Sequence, residues 1–118
     1  ERYQACENLL GLPDPPTAVL VTCSSATLGC IRYLNEHSLQ MGRDIGLVGF
    51  DDISLLGTLG YEITVMDRPM KEMGEIAYDL LTERMASPDT KRRRREILLQ
   101  TRLIIRGSEK LQDVQAVS

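Results

Sequence analysis

A short apolar run that ends in two aspartates, Asp44-Ile-Gly-Leu-Val-Gly-Phe-Asp-Asp-Ile53, indicates the architecture of this chain. Its apolar residues follow one another without polar alternation, which is typical of a strand covered on both faces in a parallel sheet. The earlier run Thr17-Ala-Val-Leu-Val-Thr22 has the same character. Residues 26–37, between the two runs, follow a helical spacing. Strand, helix and strand in this length predict a βαβ unit with parallel strands and a right-handed crossover.

The flanking segments continue this α/β pattern. We predict a helix over residues 2–10, a short helix or turn over 53–60, and a strand over 62–66. Pro69 suits the first position of a helix, and an apolar stripe predicts that this helix covers 70–85. A polar loop then leads to a last strand over 96–105. We expect a frayed tail over 109–118.

Length and composition exclude several classes of protein. The chain has 118 residues, of which 42% are hydrophobic and 26% charged, as in an ordinary globular domain. It contains neither an apolar run long enough for a transmembrane helix nor a recognisable signal peptide. A net charge of -3 argues against a surface that neutralises phosphates. Because the chain begins with Glu1, we expect its start to be processed or cut.

The cysteines do not form a metal or cofactor motif. Cys6, Cys23 and Cys30 show no Cys-x-x-Cys spacing, and His37 is the only histidine. If Cys23 and Cys30 bracket one helix, their α-carbons lie roughly 10 Å apart, which is beyond disulfide reach. We interpret the three cysteines as small buried hydrophobes in a reducing compartment, and we predict no metal and no cofactor.

Two polar segments follow the predicted strands and are the candidate binding residues. Asp51 and Asp52 follow the second strand, where ligands bind in open α/β sheets. Each of these carboxylates either binds a ligand, namely a polyol, a metal or a phosphate, or caps the next turn, and capping is the favoured interpretation for Asp52. Thr22-Cys23-Ser24-Ser25 follows the first strand. Its hydroxyls either bind a ligand oxygen or cap the helix, with Ser24 and Ser25 as candidate caps.

Other features point to assembly rather than catalysis. A surface turn does not need three leucines within five residues, as at Leu55, Leu56 and Leu59. These leucines therefore either cover the edge of the sheet or form a subunit interface. The basic run Lys91–Arg95 lacks a neighbouring recognition helix, and we interpret it as a solvated loop. The sequence contains no nucleophile elbow, P-loop or dinucleotide fingerprint, and we predict that the protein is not an enzyme.

Taken in order, five segments resemble the LacI/GalR family of bacterial transcriptional regulators. The clearest is Asp44–Ile53, which is similar to that family's D-I-S-V-V-G-F-D-D-I. The others are Pro16-Thr-Ala-Val-Leu20, Leu28-Gly29 with the helix to Leu34, Thr64-Val65 with Pro69 and Glu72-Met-Gly74, and Leu103-Ile-Ile-Arg-Gly-Ser108. They are similar to R-P-T-A-I-F, A-L-G-A-L-R-A-L, T-T-V-x-Q-P-x-x-E-M-G and L-V-V-R-G-S respectively.

The resemblance implies a periplasmic-binding-protein-like type I fold, in which two α/β subdomains hold a small molecule in their cleft. Residues 1–108 would form most of the C-terminal subdomain, so the chain would be a fragment of a cytoplasmic effector-binding domain. Such regulators are dimers or tetramers. They bind operator DNA through an N-terminal helix-turn-helix domain, which is absent here, and no membrane is involved.

The same resemblance assigns roles to individual residues. Asp51 matches the family aspartate that contacts the effector. Cys23 and Ser24 take the place of a cleft-facing Asn-Asp pair, and this departure puts a sugar effector in doubt. Segments that contribute to dimerisation in the family contain the leucines Leu28, Leu55, Leu56 and Leu59.

We therefore expect an effector-sensing and dimerisation fragment of a LacI/GalR-type regulator, with a sugar or related molecule as ligand. The alternatives are a fragment of a periplasmic sugar-binding protein of a transporter and, more distantly, a phosphoacceptor receiver domain. A receiver domain needs an acidic pair after its first strand, and residues 22–25 contain no acid.

Overall fold

The computed structural model describes residues 2–87 and 94–111. Its elements are, in chain order, α1 (Arg2–Leu10), β1 (Ala18–Leu20), α2 (Ser24–Glu36), β2 (Gly46–Phe50), α3 (Ser54–Thr58), β3 (Thr64–Asp67), α4 (Met70–Ala86) and β4 (Arg102–Ile104). The strands form one sheet in the order β1-β2-β3-β4, in which β1, β2 and β3 are parallel. The predicted α/β class and βαβ unit are confirmed.

The chain divides into two compact units. The first combines residues 1–67 with 103–118, and the second covers 68–102. In the first unit, the core forms where α2 packs on the sheet. Buried side chains of α2 and of the strand segments meet there, among them Cys30, Ile31, Leu34, Val21, Leu47, Ile63 and Val65. The helical spacing of α2 and the alternation of the strands bring these apolar side chains together.

Strand β1 is less covered than its sequence predicts. Ala18 is exposed and Leu20 is 66% exposed, although the apolar run predicts burial on both faces. Since β1 stands at the end of the strand order, it pairs only with β2 among the described residues. One β2 residue at the same level, Leu47, is 2% exposed. Continuous apolar character therefore identifies the strand correctly but not its position at the edge.

The second unit consists of α4 and the segment that follows it. The predicted strand over 96–105 is largely wrong, because only Arg102–Ile104 is a strand and residues 94–101 have no regular structure. The side chains of Ile97, Leu98 and Leu99 instead line an apolar groove together with residues of α4. No residue of α4 is buried. Of the basic run Lys91–Arg95, residues 91–93 lie outside the described residues, and Arg95 pairs with Glu83 at 2.9 Å.

We call residues 106–109 the closing segment of the first unit. The buried Ser108 attaches this segment to the sheet. The Ser108 hydroxyl accepts a hydrogen bond from the Thr64 N–H at 2.8 Å and donates one to the Leu47 carbonyl at 2.5 Å. The Ser108 carbonyl accepts a further bond from the Leu47 N–H at 2.7 Å. Ser108 therefore supplies hydrogen-bond partners to backbone groups of both β2 and β3. Buried backbone groups that the sheet itself leaves unbonded need such partners.

Glu109, the first residue of the predicted frayed tail, is bonded to the sheet. The Glu109 carboxylate accepts hydrogen bonds from the Thr64 hydroxyl and from the Gly107 N–H, so this residue is ordered. Residues 112–118 lie outside the described part of the chain. Beside this segment, Gly42 has φ +75, and a Cβ there would lie 2.5 Å from the Gly107 carbonyl oxygen. Only glycine allows this approach.

We expect Ser108→Ala to lower the free energy of unfolding by about 1–3 kcal/mol, because it leaves the buried Thr64 N–H without its partner. Ser54→Ala, at an exposed position, is the matched control and should change stability by less than about 0.5 kcal/mol. Urea denaturation followed by circular dichroism measures both. Equal stability of the two variants would contradict a structural role for the Ser108 hydroxyl.

Candidate functional site

The parallel register brings the ends of three strands to one side of the sheet. Leu20 pairs with Val48, and Phe50 pairs with Met66, so the chain leaves β1, β2 and β3 at neighbouring points. We call this region the carboxyl edge and define it by Cys23, Ser24, Asp51 and Asp67. The structure thus brings together the three binding residues predicted from the sequence.

Asp67 is the member of the carboxyl edge that sequence reasoning missed. It is the last residue of β3, and its side chain is half-buried. Continuing the pairing of Phe50 with Met66 by one residue places Asp67 beside Asp51. The rule that singled out Asp51, an acid at the end of an apolar strand, would have identified Asp67 as well.

Asp51 has an unusual backbone conformation. Its φ is +69, in the left-handed region that non-glycine residues seldom adopt and that aspartate tolerates better than most. Its N–H donates a hydrogen bond of 2.9 Å to the Met66 carbonyl, which extends the pairing of β2 with β3 by one residue. The chain therefore turns sharply at Asp51, immediately after the strand. The residue itself is half-buried.

Asp52 forms the main ion pair of this region. Both of its carboxylate oxygens accept hydrogen bonds from the Arg106 guanidinium, at 2.8 and 2.7 Å. Arg106 also donates a bond of 3.1 Å to the Ile63 carbonyl, and its Nε lies 3.9 Å from the Glu62 carboxylate. The hydrogen bonds to Asp52 raise the pKa of Arg106. The pair joins residues 54 positions apart, so no local sequence pattern predicts it.

The start of α2 differs from its prediction. The helix begins at Ser24, and Cys23 rather than Ser24 or Ser25 occupies the N-cap position. The Cys23 side chain forms no capping hydrogen bond. Its sulfur lies 3.7 Å from the Ser25 hydroxyl oxygen. The nearby Ala26 N–H, and then the Ser25 hydroxyl, stabilise the thiolate and so lower the pKa of Cys23. Cys23 is half-exposed, which corrects the prediction that all three cysteines are buried.

A recess lies beneath the turn at Asp51 and Asp52. Its lining includes Thr27, Leu56 and Tyr61 as well as Arg106. The recess has a volume of about 10 Å³, which is room for one water molecule. A sugar therefore does not fit into it and would have to lie against the open carboxyl edge.

The four leucines predicted to contribute to dimerisation have two different environments. Leu28, Leu55 and Leu59 are exposed by 50%, 62% and 62%. Leu56 is 6% exposed and belongs to the hydrophobic core. Its side chain is thus not accessible to a partner, because the short helix α3 turns it inward. The other three leucines lie on the surface.

Within residues 2–87 and 94–111, no group of three or more His, Cys, Asp or Glu residues could hold a metal ion. In the same part of the chain, no helix is long and apolar enough to cross a membrane.

Comparisons with known proteins give a consistent family. The periplasmic binding protein-like domain family matches residues 1–109. The lactose operon repressor of Rhizobium radiobacter is 32% identical over 108 residues, which are 92% of this chain and 93% of that protein. The ribose operon repressor of Escherichia coli K12 is 32% identical over 95 residues, which are 80% of this chain but only 29% of the repressor.

A solved structure shows the same fold. The LacI family transcriptional regulator from Enterococcus faecium, with bound ribose, superposes with a TM-score of 0.78 at 25% identity. The match covers 92% of this chain and 39% of that one. The named relatives are repressors, which favours the regulator interpretation over a transporter component or a receiver domain.

We expect Arg106→Gln to lower the free energy of unfolding by about 1–2 kcal/mol, because it removes the two charged hydrogen bonds that Arg106 donates to Asp52. Asp52→Asn should cost a similar amount, and the double variant should cost less than the sum of the two. Arg43→Gln, at an exposed arginine of the same unit, should change stability by less than about 0.5 kcal/mol. Chemical denaturation of the four variants measures these differences, and strict additivity would contradict the coupling.

Proposed function

This chain belongs to the periplasmic binding protein-like domain family, among the LacI-type repressors, and we propose that it senses a small-molecule effector for a transcriptional regulator. The ligand class that we propose is a sugar or a related polyol. Operator DNA would be bound by a separate helix-turn-helix domain of the regulator. We further propose that the protein is cytoplasmic and acts by binding alone, without catalysis.

The main support for this proposal is the position of Asp51 at the end of β2. Its left-handed conformation sets it at the turn where β2 leaves the sheet, which is where open α/β sheets bind ligands. A carboxylate can accept hydrogen bonds from two neighbouring hydroxyls of a sugar, which neutral side chains do less well. The neighbouring Asp52 accepts two hydrogen bonds from Arg106, which hold the backbone next to Asp51.

The other residues of the carboxyl edge refine the ligand class. The Ser24 hydroxyl can donate and accept a hydrogen bond, whereas the Cys23 thiol does both only weakly. Asp67, at the end of β3, adds a second carboxylate to the same edge. A polyol suits this edge because its hydroxyls can donate hydrogen bonds to carboxylate oxygens.

The proposed mechanism is a shift between conformations. An effector held between this edge and a second subdomain would favour one state of closure. That closure would change the spacing of the DNA-binding domains in a dimer and with it the affinity for the operator.

A titration with D-ribose tests the ligand class. We expect the amide NMR signals of residues 23–25 and 51–52 to shift, with a dissociation constant on the order of 1 mM or weaker, because one wall of a cleft leaves most of the sugar in water. Asp51→Asn should weaken this binding about tenfold, since it removes the charged acceptor. Heteronuclear correlation spectra of the 118-residue chain provide the measurement.

Asp14→Asn is the matched control. Asp14 is exposed and precedes β1, so it lies away from the carboxyl edge, and its replacement should leave the ribose-induced shifts unchanged. Shifts that appear elsewhere, or that survive Asp51→Asn, would contradict the proposed role of Asp51. A complete lack of shifts would contradict the sugar ligand.

The exposed leucines support a second part of the proposal, namely dimerisation. Leu55 and Leu59 are one helical turn apart around α3, and both are more than half exposed. With Leu28 of α2 they add apolar surface that a monomer would leave in contact with water. We propose that these three leucines contribute to a dimer interface.

We expect the unmodified chain to sediment as a dimer or a larger species, and Leu55→Glu or Leu59→Glu to shift it towards the monomer, because a buried unpaired charge is costly. Leu12→Glu, at a leucine that is 49% exposed in the loop before β1, should leave the association unchanged. Analytical ultracentrifugation measures the species present. A monomeric unmodified chain, or an equal effect of Leu12→Glu, would overturn this interface.

A further inference from the structure

Helices α1 and α2 are packed unusually closely. A Cβ added to Gly29 of α2 would lie 3.0 Å from the backbone nitrogen of Tyr3 and 3.1 Å from the carbonyl carbon of Arg2. The α1 backbone therefore approaches α2 at a point where α2 has no side chain. Near this contact the rings of Tyr3 and Tyr33 lie 5.5 Å apart, and the Tyr3 hydroxyl donates a hydrogen bond of 2.6 Å to Glu36.

Each of these two packed helices contributes one cysteine to the core. Cys6 lies one turn after Tyr3 along α1, and Cys30 lies one turn before Tyr33 along α2. Both belong to the hydrophobic core, at 3% and 6% exposure. Each thiol is close enough to the other to affect its pKa. Cys23, the third cysteine, is half-exposed and precedes α2.

We propose that Cys6 and Cys30 form a dithiol site that a low-molecular-weight disulfide, such as oxidised glutathione, converts into a disulfide joining α1 to α2. The proposal is independent of the effector function, because neither residue lies at the carboxyl edge. A sequence pattern does not reveal it, since the two cysteines come from different helices.

The two sulfurs have different parts in this reaction. Burial raises the pKa of both thiols, and for Cys30, to about 12, the neighbouring Cys6 thiol adds to the rise. Among the described elements α1 packs only against α2, so release of α1 would carry Cys6 into solvent. Cys6 is therefore the attacking thiolate, and Cys30 resolves the intermediate.

The reaction is balanced with one molecule of the oxidant. The Cys6 thiolate attacks one sulfur of the glutathione disulfide, which breaks that S–S bond, forms a mixed disulfide on Cys6 and releases glutathione thiolate. After α1 docks again, the Cys30 sulfur attacks the Cys6 sulfur and displaces the second glutathione thiolate. The protons of the two cysteines end on the two glutathione molecules. The protein loses two hydrogens and the glutathione disulfide is reduced.

The product would hold α1 on the domain covalently. The cross-link closes a loop of about two dozen residues that contains β1, and such a loop restricts the unfolded chain considerably. We expect the oxidised protein to unfold about 10 °C above the reduced protein. Oxidation should also be slow, at a rate about tenfold or more below that of Cys23 thiol modification, because it requires release of α1.

The test uses the Cys23→Ser variant of the full chain, which removes the exposed thiol, incubated with oxidised glutathione under native conditions. Mass spectrometry should show the loss of two hydrogens without added glutathione, and peptide mapping should join Cys6 to Cys30. Dithiothreitol should reverse both the mass change and the gain in unfolding temperature.

Two further variants show whether the reaction has the proposed order. Cys23→Ser with Cys30→Ser should accumulate the mixed disulfide on Cys6, and Cys23→Ser with Cys6→Ser should react several-fold more slowly. Three outcomes would overturn the proposal. They are two thiols that stay free in the folded Cys23→Ser protein, a glutathione adduct that persists in that variant, and a cross-link between two chains. Circular dichroism of the reduced variants confirms that they are folded before oxidation.

Discussion

The first unit depends on the hydrogen bonds that the closing segment makes with the sheet. The Ser108 hydroxyl is bonded to the backbones of both β2 and β3, and Thr64 connects to Glu109 and to the Arg106 N–H through its own hydroxyl. Ser108 and Thr64 are themselves buried, so water cannot easily replace the bonds that they make. The position of β3 relative to β2 therefore rests on four consecutive residues from another part of the chain, 106–109.

The same segment connects the core to the candidate site. Arg106 follows β4 closely and reaches Asp52, the residue after Asp51. The ion pair fixes one side of the turn, and the Asp51 N–H bonded to Met66 fixes the other. An aspartate in the left-handed region needs such support, because that conformation is intrinsically unfavourable. The Asp52 carboxylate thus holds the backbone of the turn on which the neighbouring Asp51 lies.

The sequence predicted the features that depend on local patterns. Apolar runs located β1 and β2, helical spacing located α2 and α4, and strand ends identified Asp51 and Cys23 as residues of one edge. The missed features depend on contacts between distant residues. Ser108, Arg106 and the pair Cys6 and Cys30 each acquire their role from a partner that no spacing rule connects to them. The exposure of β1 was missed for a related reason, since an apolar run carries no information about the order of strands in the sheet.

The bond between Ser108 and Leu47 also has a consequence for the time course of folding. Sixty-one positions separate the two residues, so during translation β2 is synthesised long before the hydroxyl that satisfies it. Until residue 108 leaves the ribosomal tunnel, the Leu47 carbonyl and the Thr64 N–H lack this partner and the sheet is incomplete. The nascent chain therefore exposes strand backbone between the synthesis of Leu47 and that of Ser108, and this is the interval in which chaperones or aggregation would act on it.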